Sequence, residues 1–275
     1  MGLEGAVMKI SAVIITRNEE DRLPDALASL RGVADEVVVV DSYSDDHTME
    51  IARASGARVM QRRFENYGQQ KNFAMEQAGN EWILNLDADE RVSPELQRAI
   101  ADLKESAPRA GVAAFAIQRR TRYLGRWIRH SGWYPDRKVR LFKKSGASWQ
   151  GRIHERLNVS GATASLPGAI LHFTYRNISD HLRRIDRYSS LQAEEIAATG
   201  TKLLLGRAGL LPICTFARHY ILRLGFLDGF AGFVIALLSS WATALKYLKA
   251  LELKKSARRQ GRDQAADENP ASGLR

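Results

Sequence analysis

Residues 36–41, EVVVVD, set four consecutive valines before an aspartate. A strand with one wet face alternates apolar and polar side chains. An unbroken β-branched run instead implies that both faces are covered, as in a parallel sheet between helices. The neighbouring segments repeat the theme: KISAVIIT (9–16), ARVMQ (57–61) and EWILNL (81–86) are further strand-like runs. Between them, DRLPDALASLR (21–31) has Pro24 in its first turn and Gly32 beyond its end. SDDHTMEIARASG (44–56) opens on acids and closes on Gly56, and QQKNFAMEQAG (69–79) supplies a third helix. These are the chemical marks of helix boundaries. Ser93-Pro94 opens a further helix over 93–106. Strands alternating with helices predict βαβ units and an α/β fold with a doubly wound, mostly parallel sheet.

In such sheets ligands bind beyond the carboxyl ends of the strands. Three polar clusters sit there: Thr16-Arg17-Asn18-Glu19, Asp41-Ser42 and Asp87-Ala88-Asp89. They are expected to converge on one cleft. In WILNLDADE (82–90) a buried run ends in Asp87, Asp89 and Glu90. Carboxylates that close repel unless something cationic lies between them, which predicts a bound metal. The alternative is a polar turn.

The chain has 275 residues, 45% of them apolar, and a formal net charge of +10. That excludes a disordered protein and points to an anionic partner: nucleic acid, anionic lipid or a phosphorylated substrate. Cys214 is the single cysteine, so no disulfide forms within the chain, which fits a reducing compartment. Its apolar surroundings predict a buried thiol. MGLEGAVMKI shows no secretory signal or myristoylation pattern, and residues 1–8 read as an extension.

From residue 112 the alternation stops. VAAFAIQRR (112–120), KVRLFKK (138–144), ASWQG (147–151), IHERLNV (153–159) and AILHFTY (169–175) predict mixed or antiparallel strands completing the sheet, up to about residue 177. Residues 178–199 form an amphipathic helix. Residues 203–253 are apolar with basic residues at intervals, and their longest uncharged run, Gly229 to Leu245, has 17 residues. A membrane span needs roughly 20. Lys246, Lys249, Lys254, Lys255, Arg258, Arg259 and Arg262 follow. The pattern suits a helical region, 178–255, lying on an anionic cytoplasmic membrane surface; self-association into a homo-oligomer and a true span are the alternatives. Residues 256–275 read as a disordered tail. A second basic segment, 119–144, holds ten cations against the single acid Asp136, with Tyr123, Trp127, Trp133 and Tyr134 interleaved. It is either a solvated surface or a mouth that receives phosphate, with Arg137 and Arg140 as contacts; Trp133 and Tyr134 either pack in the core, the default for aromatics, or stack on a sugar ring.

AVIITRNEE, VVVVDSYSDDHT, QKNFA and LNLDADE, in this order and spacing, resemble the donor half of glycosyltransferase family 2 over roughly residues 9–175. KVRLFKK, GRIHERL and LHFTYRN narrow the resemblance to the lipopolysaccharide inner-core β-1,4-glucosyltransferase branch. The resemblance implies a GT-A fold, a Rossmann-like sheet binding a nucleotide-sugar. It implies that Thr16, Arg17, Asn18 and Glu19 line the nucleoside pocket, that Asp41 and Ser42 hold base or ribose, and that Lys71 and Asn72 reach the uridine or diphosphate. Asp41 as a turn cap, and a surface role for Lys71 and Asn72, are the alternatives. The Asp-x-Asp motif, Asp87 and Asp89, would hold Mg2+ or Mn2+ on the diphosphate, with Asp87 alternatively acting on sugar hydroxyls; His172 would complete the metal shell or contact a phosphate, a buried structural histidine being the alternative.

Family 2 enzymes invert the anomeric centre by direct displacement. The leaving diphosphate needs its charge neutralised, and the acceptor hydroxyl needs a base. Glu155 is the candidate base, His154 the runner-up, and an ion pair of Glu155 with a neighbouring arginine the alternative. The expected partners are a UDP-sugar, UDP-glucose first, and an anionic lipid-linked saccharide acceptor of the lipopolysaccharide core, met peripherally at the cytoplasmic face of the bacterial inner membrane. Polyprenyl phosphate, a capsule precursor or a protein side chain are alternative acceptors. Nucleic acid is not expected as a partner, since it leaves the three acidic clusters unexplained.

Overall fold

Four parallel strands form the half of the sheet that positions the site. They are β1 (Ile10–Thr16), β2 (Glu36–Asp41), β3 (Arg58–Gln61) and β4 (Trp82–Asn85), in the order β3-β2-β1-β4. The computed structural model of the chain describes residues 8–151, 155–199 and 204–267, by backbone alone beyond 257. Val38, Val39 and Val40 are fully buried, as the valine run predicts. Alternation sends them to opposite faces. Val39 joins Ile10, Ile14, Leu27, Leu84 and Ile100 in one core, and Val38 and Val40 join Val13, Ala74, Met75, Ile83 and Phe142 in the other. Helices α1 (Leu23–Ser29) and α4 (Pro94–Ser106) contribute to the first core, and α3 (Tyr67–Gln77) to the second. Helix α2 (Thr48–Ala54) connects β2 to β3. Truncating the fully buried Leu84 to alanine should destabilise by about 2–5 kcal/mol.

The remaining strands complete the sheet in the mixed manner expected. They are β5 (Glu90–Val92), β6 (Val112–Tyr123), β8 (Asp136–Lys143) and β11 (Ala162–His172). Strand β8 runs antiparallel to β4 and β6, β11 parallel to β6, and β5 antiparallel to β11. Strands β9 (Ala147–Gln150) and β10 (Arg156–Val159) form a separate antiparallel pair. Strand β11 shifts register between Ser165 and Ala169, where Gly168 has φ +89° and a Cβ would strike the Leu96 backbone. That close approach lets Ser93 Oγ cap α4 at Leu96 N (3.3 Å) while accepting from Ala169 N (3.2 Å).

The chain divides into two compact units, residues 1–122 with 135–174, and 123–134 with 175–275. In the second, β7 (Arg126–Trp127) belongs to the 123–134 loop, and α5 (Ile178–Ala198), α6 (Leu204–Ala217) and α7 (Gly229–Asp267) follow. A π-turn at Arg218–Leu222 and a 3-10 turn at Gly225–Asp228 join α6 to α7. The buried Asp228 carboxylate accepts from Arg129 N (3.0 Å), His130 N (2.9 Å) and Ser131 Oγ (3.2 Å), tying the loop to this turn. Ile185, Val234, Ile235 and Leu238 pack with Tyr123 and Ile128. His181 stacks on Tyr175 (3.8 Å between centroids), and its Nδ1 meets Tyr123 Oη at 2.8 Å. Burial and then the Arg184 charge push its pKa down to about 4, while burial raises the Tyr123 phenol to about 12.

Two expectations are corrected here. Helix α7 continues to Asp267, through the start of the polar tail expected from residue 256. Cys214 is exposed rather than buried, because α6 turns that side chain away from its packed face. Trp133 lies among Tyr123, Tyr175 and His181 (5.5, 6.1 and 6.2 Å), the packing role that is the default for such a ring. The N-terminal extension up to residue 7, the end of the tail and His154 lie outside the described residues.

Candidate active site

The site grows from the carboxyl ends of β1, β2 and β4. Parallel register sets Thr16 beside Asp41 and Val13 beside Asn85, so the loops after all three strands leave from one edge. Asn18, in the left-handed region (φ 56°), stitches the first two together. Its N–H donates to Ser44 Oγ (2.9 Å), and its Oδ1 accepts from Asp45 N (3.0 Å). Ser44 in turn bonds the Asp41 carboxylate through both its N–H (2.9 Å) and its hydroxyl. Asp41 is fully buried and caps this turn, the alternative its position had left open. Ser42 Oγ accepts from the buried Gln70 (3.1 Å), and Ser42 N donates to Thr16 O (2.9 Å). Thr16 and Ser42 are thus largely interior, while Arg17 and Asn18 are exposed.

The same loop reaches the third cluster. Arg22 stands 3.8 Å from Glu19 and 3.6 Å from Asp89. A bonded path therefore runs from Asp41 through Ser44, Asn18 and the Asn18–Arg22 turn to Asp89, and the acidic strand ends share one rim.

Asp89 owes its other neighbour to β5, a three-residue strand that sequence patterning does not reveal. Glu90 pairs with His172, and Phe173 N donates to Asp89 O (2.9 Å). This sets His172 Nε2 3.5 Å from Asp89 Oδ2, while His172 Nδ1 meets Thr121 Oγ1 at 3.2 Å. With Nδ1–H donating to Thr121, Nε2 keeps its lone pair. In an octahedral shell with bonds of about 2.1 Å, adjacent ligand atoms are about 3 Å apart, so the pair fits two neighbouring positions around a hard divalent ion. Among the described residues no group of three or more His, Cys, Asp or Glu is set to hold a metal. Two protein ligands leave the other positions to phosphate oxygens and water, the usual habit of Mg2+.

Asp87 is differently engaged. Its carboxylate accepts from Arg140 Nη2 (2.8 Å) and faces Lys71 Nζ (3.4 Å). Cations thus already face both of the carboxylate oxygens that the resemblance assigns to the metal. Burial by itself would raise the Asp87 pKa; Arg140 and then Lys71 outweigh it and hold the carboxyl well below the usual range. Arg140 also donates to the fully buried Glu90 (2.5 Å), whose Oε2 accepts from Asp87 N (3.1 Å). Arg140 is itself buried, so it clamps the Asp87–Glu90 turn rather than waiting for phosphate. Burial opposes its charge, but Asp87 and Glu90 raise its pKa further still. Glu90 moves up, because burial and the Asp87 charge exceed what Arg140 offsets.

Lys71, almost wholly buried, lies 3.0 Å from Glu155 Oε1 and 4.7 Å over the Trp149 ring. Glu155 is thus ion-paired with Lys71. Asn72 is spent on structure: its amide donates to Trp149 O (2.9 Å) and accepts from Trp149 N (2.8 Å). The basic segment is largely consumed as well. Arg119 pairs with Asp136 (2.7 Å), Lys138 with Asp136 (3.3 Å), Arg137 donates to Ser165 (3.1 Å), Lys143 lies over Trp82, and Lys144 donates to Ala78 O (2.8 Å). At least six of the ten cations of 119–144, Arg140 included, therefore already have partners within the fold. Sequence reasoning missed Arg22 and the anchoring role of Glu90; the third carboxylate of DADE was the available signal.

A model of glycosyl transferase family 2 matches residues 11–158, more than half of the chain. An uncharacterized glycosyltransferase of Rickettsia typhi is 32% identical over 260 residues, 91% of this chain and 89% of the relative. The chain belongs to glycosyltransferase family 2. Another relative of the same span is the lipopolysaccharide core biosynthesis glycosyltransferase LpsC of Rhizobium meliloti, 27% identical over 90% of this chain and 94% of its own. Among solved structures, Mycobacterium tuberculosis glucosyl-3-phosphoglycerate synthase with Mn2+, UDP and glucosyl-3-phosphoglycerate overlaps 42% of this chain and 44% of its own (22% identity, TM-score 0.35). Staphylococcus aureus TarS overlaps 90% of this chain and 55% of its own (18% identity, TM-score 0.44). The family 2 match covers β1 to β10, the segment that carries Asp89, Asp87, Lys71 and Glu155.

Proposed function

We propose that this family 2 enzyme transfers a hexose, glucose first, from a UDP-sugar to an anionic lipid-linked saccharide of the lipopolysaccharide core, with inversion at the anomeric carbon. The observation that carries this reading is the Asp89–His172 pair, 3.5 Å apart on the rim that also gathers Arg22, Asp87 and Lys71. That pair would hold Mg2+ or Mn2+, which when bound neutralises charge on the departing diphosphate. Arg140 and Glu90 fix the turn from which Asp87 faces the sugar's hydroxyls. Glu155 takes the proton of the attacking acceptor hydroxyl. It is paired with Lys71 at 3.0 Å, and the donor's phosphates offer Lys71 a competing anion that loosens this hold. The end-to-end match with LpsC supports a core saccharide as acceptor.

The second unit suits a membrane surface. It carries the exposed side chains Leu222 (77%) and Phe230 (68%), with Ile221, Leu224, Phe226 and Leu227 between and beside them at the α6–α7 corner. In residues 204–251 the only acid is the buried Asp228, against Arg207, Arg218, Arg223, Lys246 and Lys249. A large apolar patch edged by cations favours anionic headgroups over a second copy of equal charge. One stretch, Gly225–Ala257, is long and apolar enough to cross a membrane, but 44% of its most apolar window is buried inside the fold, which supports peripheral docking at the cytoplasmic face. The test is incubation with radiolabelled UDP-glucose and either core-truncated lipid A or polyprenyl phosphate, in Mn2+ and in EDTA. Mn2+-dependent labelling of the lipid A acceptor is expected. Labelling of polyprenyl phosphate alone would move the acceptor, and no transfer from any UDP-sugar to either would overturn the proposal.

A further inference from the structure

Among the described residues of the first unit, one large apolar side chain stands exposed: Tyr43, at 59%. Its backbone is in the left-handed region, φ 57°, where the Cβ of any residue but glycine crowds the chain. Bulky residues rarely remain there unless their surroundings hold them. Here they do. Ser42 N is fastened to Thr16 O (2.9 Å) on one side, Ser44 N to Asp41 Oδ2 (2.9 Å) on the other, and Ser44 Oγ to Asn18 N (2.9 Å) across the loop. The turn would be formed with less strain by glycine, yet it carries a ring that stands 59% exposed just beyond the carboxyl end of β2.

The position gives the ring a use. The cations and the metal-competent pair, Lys71, Arg22, Asp89 and His172, collect around the loop after β4. Tyr43 leaves the sheet two strands away, beyond β1. A nucleoside diphosphate with its phosphates at the β4 end and its base toward β2 would bring the base to the Tyr43 side. We propose that Tyr43 is the stacking platform for the donor's base, and that the strained turn presents it. This inference rests on the UDP-sugar reading and adds a residue to it.

Base stacking on an aromatic is worth about 1–3 kcal/mol by alanine substitution, which is about 5- to 150-fold in Kd. Calorimetric titration with UDP plus Mn2+, and separately with inorganic pyrophosphate plus Mn2+, tests it. Tyr43→Ala and Tyr43→Gly should weaken UDP by that factor and leave pyrophosphate unchanged, whereas Tyr43→Phe should stay within about 3-fold of the parent. Tyr43→Gly should also unfold at the same or a higher temperature, separating lost binding from lost structure. Parental UDP affinity in Tyr43→Ala, or an equal loss for pyrophosphate, overturns the inference while leaving the donor reading intact. Failure of the parent protein to bind UDP at all removes both.

Discussion

Replacing Arg140 by methionine puts the central clamp to the test. The guanidinium is buried between Asp87 at 2.8 Å and Glu90 at 2.5 Å, and Glu90 has no exposure through which water could solvate it instead. Removing one partner of a buried ion pair leaves an uncompensated charge and typically costs about 3–5 kcal/mol, whereas removing both partners for apolar groups of similar volume is often close to neutral. Arg119, 3.6 Å from the same Glu90 oxygen, offers partial compensation, so the lower end of the range is the expected loss. With a urea m-value of about 2–3 kcal/mol/M, Arg140→Met should lower the unfolding midpoint of the first unit by about 1–2 M. The double variant Arg140→Met/Glu90→Met should recover more than half of that loss, a coupling that independent sites do not show. A midpoint shift below about 0.3 M for the single variant, or additive losses in the double, would refute the clamp.

Other perturbations follow from the same geometry. Glu155→Gln should abolish transfer while UDP-glucose affinity changes little; collapse of donor binding instead would remove Glu155 from the role of base. His181 is held down to about 4 by burial, so the unfolded chain binds the extra proton between pH 6.5 and 4, and stability falls as pH drops through that window. The loss approaches 3 kcal/mol; Asp180 and Arg184 face the same ring, so the comparison is the stability slope of His181→Gln, which should be flatter, and equal slopes would sink the assignment. Leu222→Glu/Phe230→Glu should lower partitioning onto phosphatidylserine vesicles by about 100-fold or more, since each buried large apolar side chain is worth about 1.5–3 kcal/mol. Unchanged sedimentation with vesicles, or loss of a dimer in their absence, would assign that corner to something other than lipid.

The parallel half of the sheet was legible because EVVVVD and KISAVIIT are buried on both faces, and burial is written in composition. Ser93-Pro94 likewise announced α4 to the residue. The site was legible only as far as its strand ends. ERV is too short to carry a period, so β5, and with it the meeting of His172 and Asp89, is a tertiary fact. Charge was the most misleading signal. Arg119, Arg140, Lys143 and Lys144 look like a receptive surface until each is seen with its partner, because composition does not tell a satisfied cation from an available one. Asp41 and Asn72 were read as ligand contacts and are held by Ser44 and Trp149. Cys214 was misjudged because an apolar segment can be apolar on its outside.

The claim on which the rest depends is that Asp89 and His172 bring a divalent ion to the donor's diphosphate at the carboxyl rim of the sheet. Calorimetric titration of UDP-glucose with and without Mn2+, in the parent protein and in Asp89→Ala, measures it. The account predicts binding that strengthens at least tenfold with Mn2+ in the parent and a Mn2+ response that disappears in Asp89→Ala while the protein stays folded. Equal affinity in Mn2+ and EDTA, or an undiminished Mn2+ response in Asp89→Ala, would contradict it.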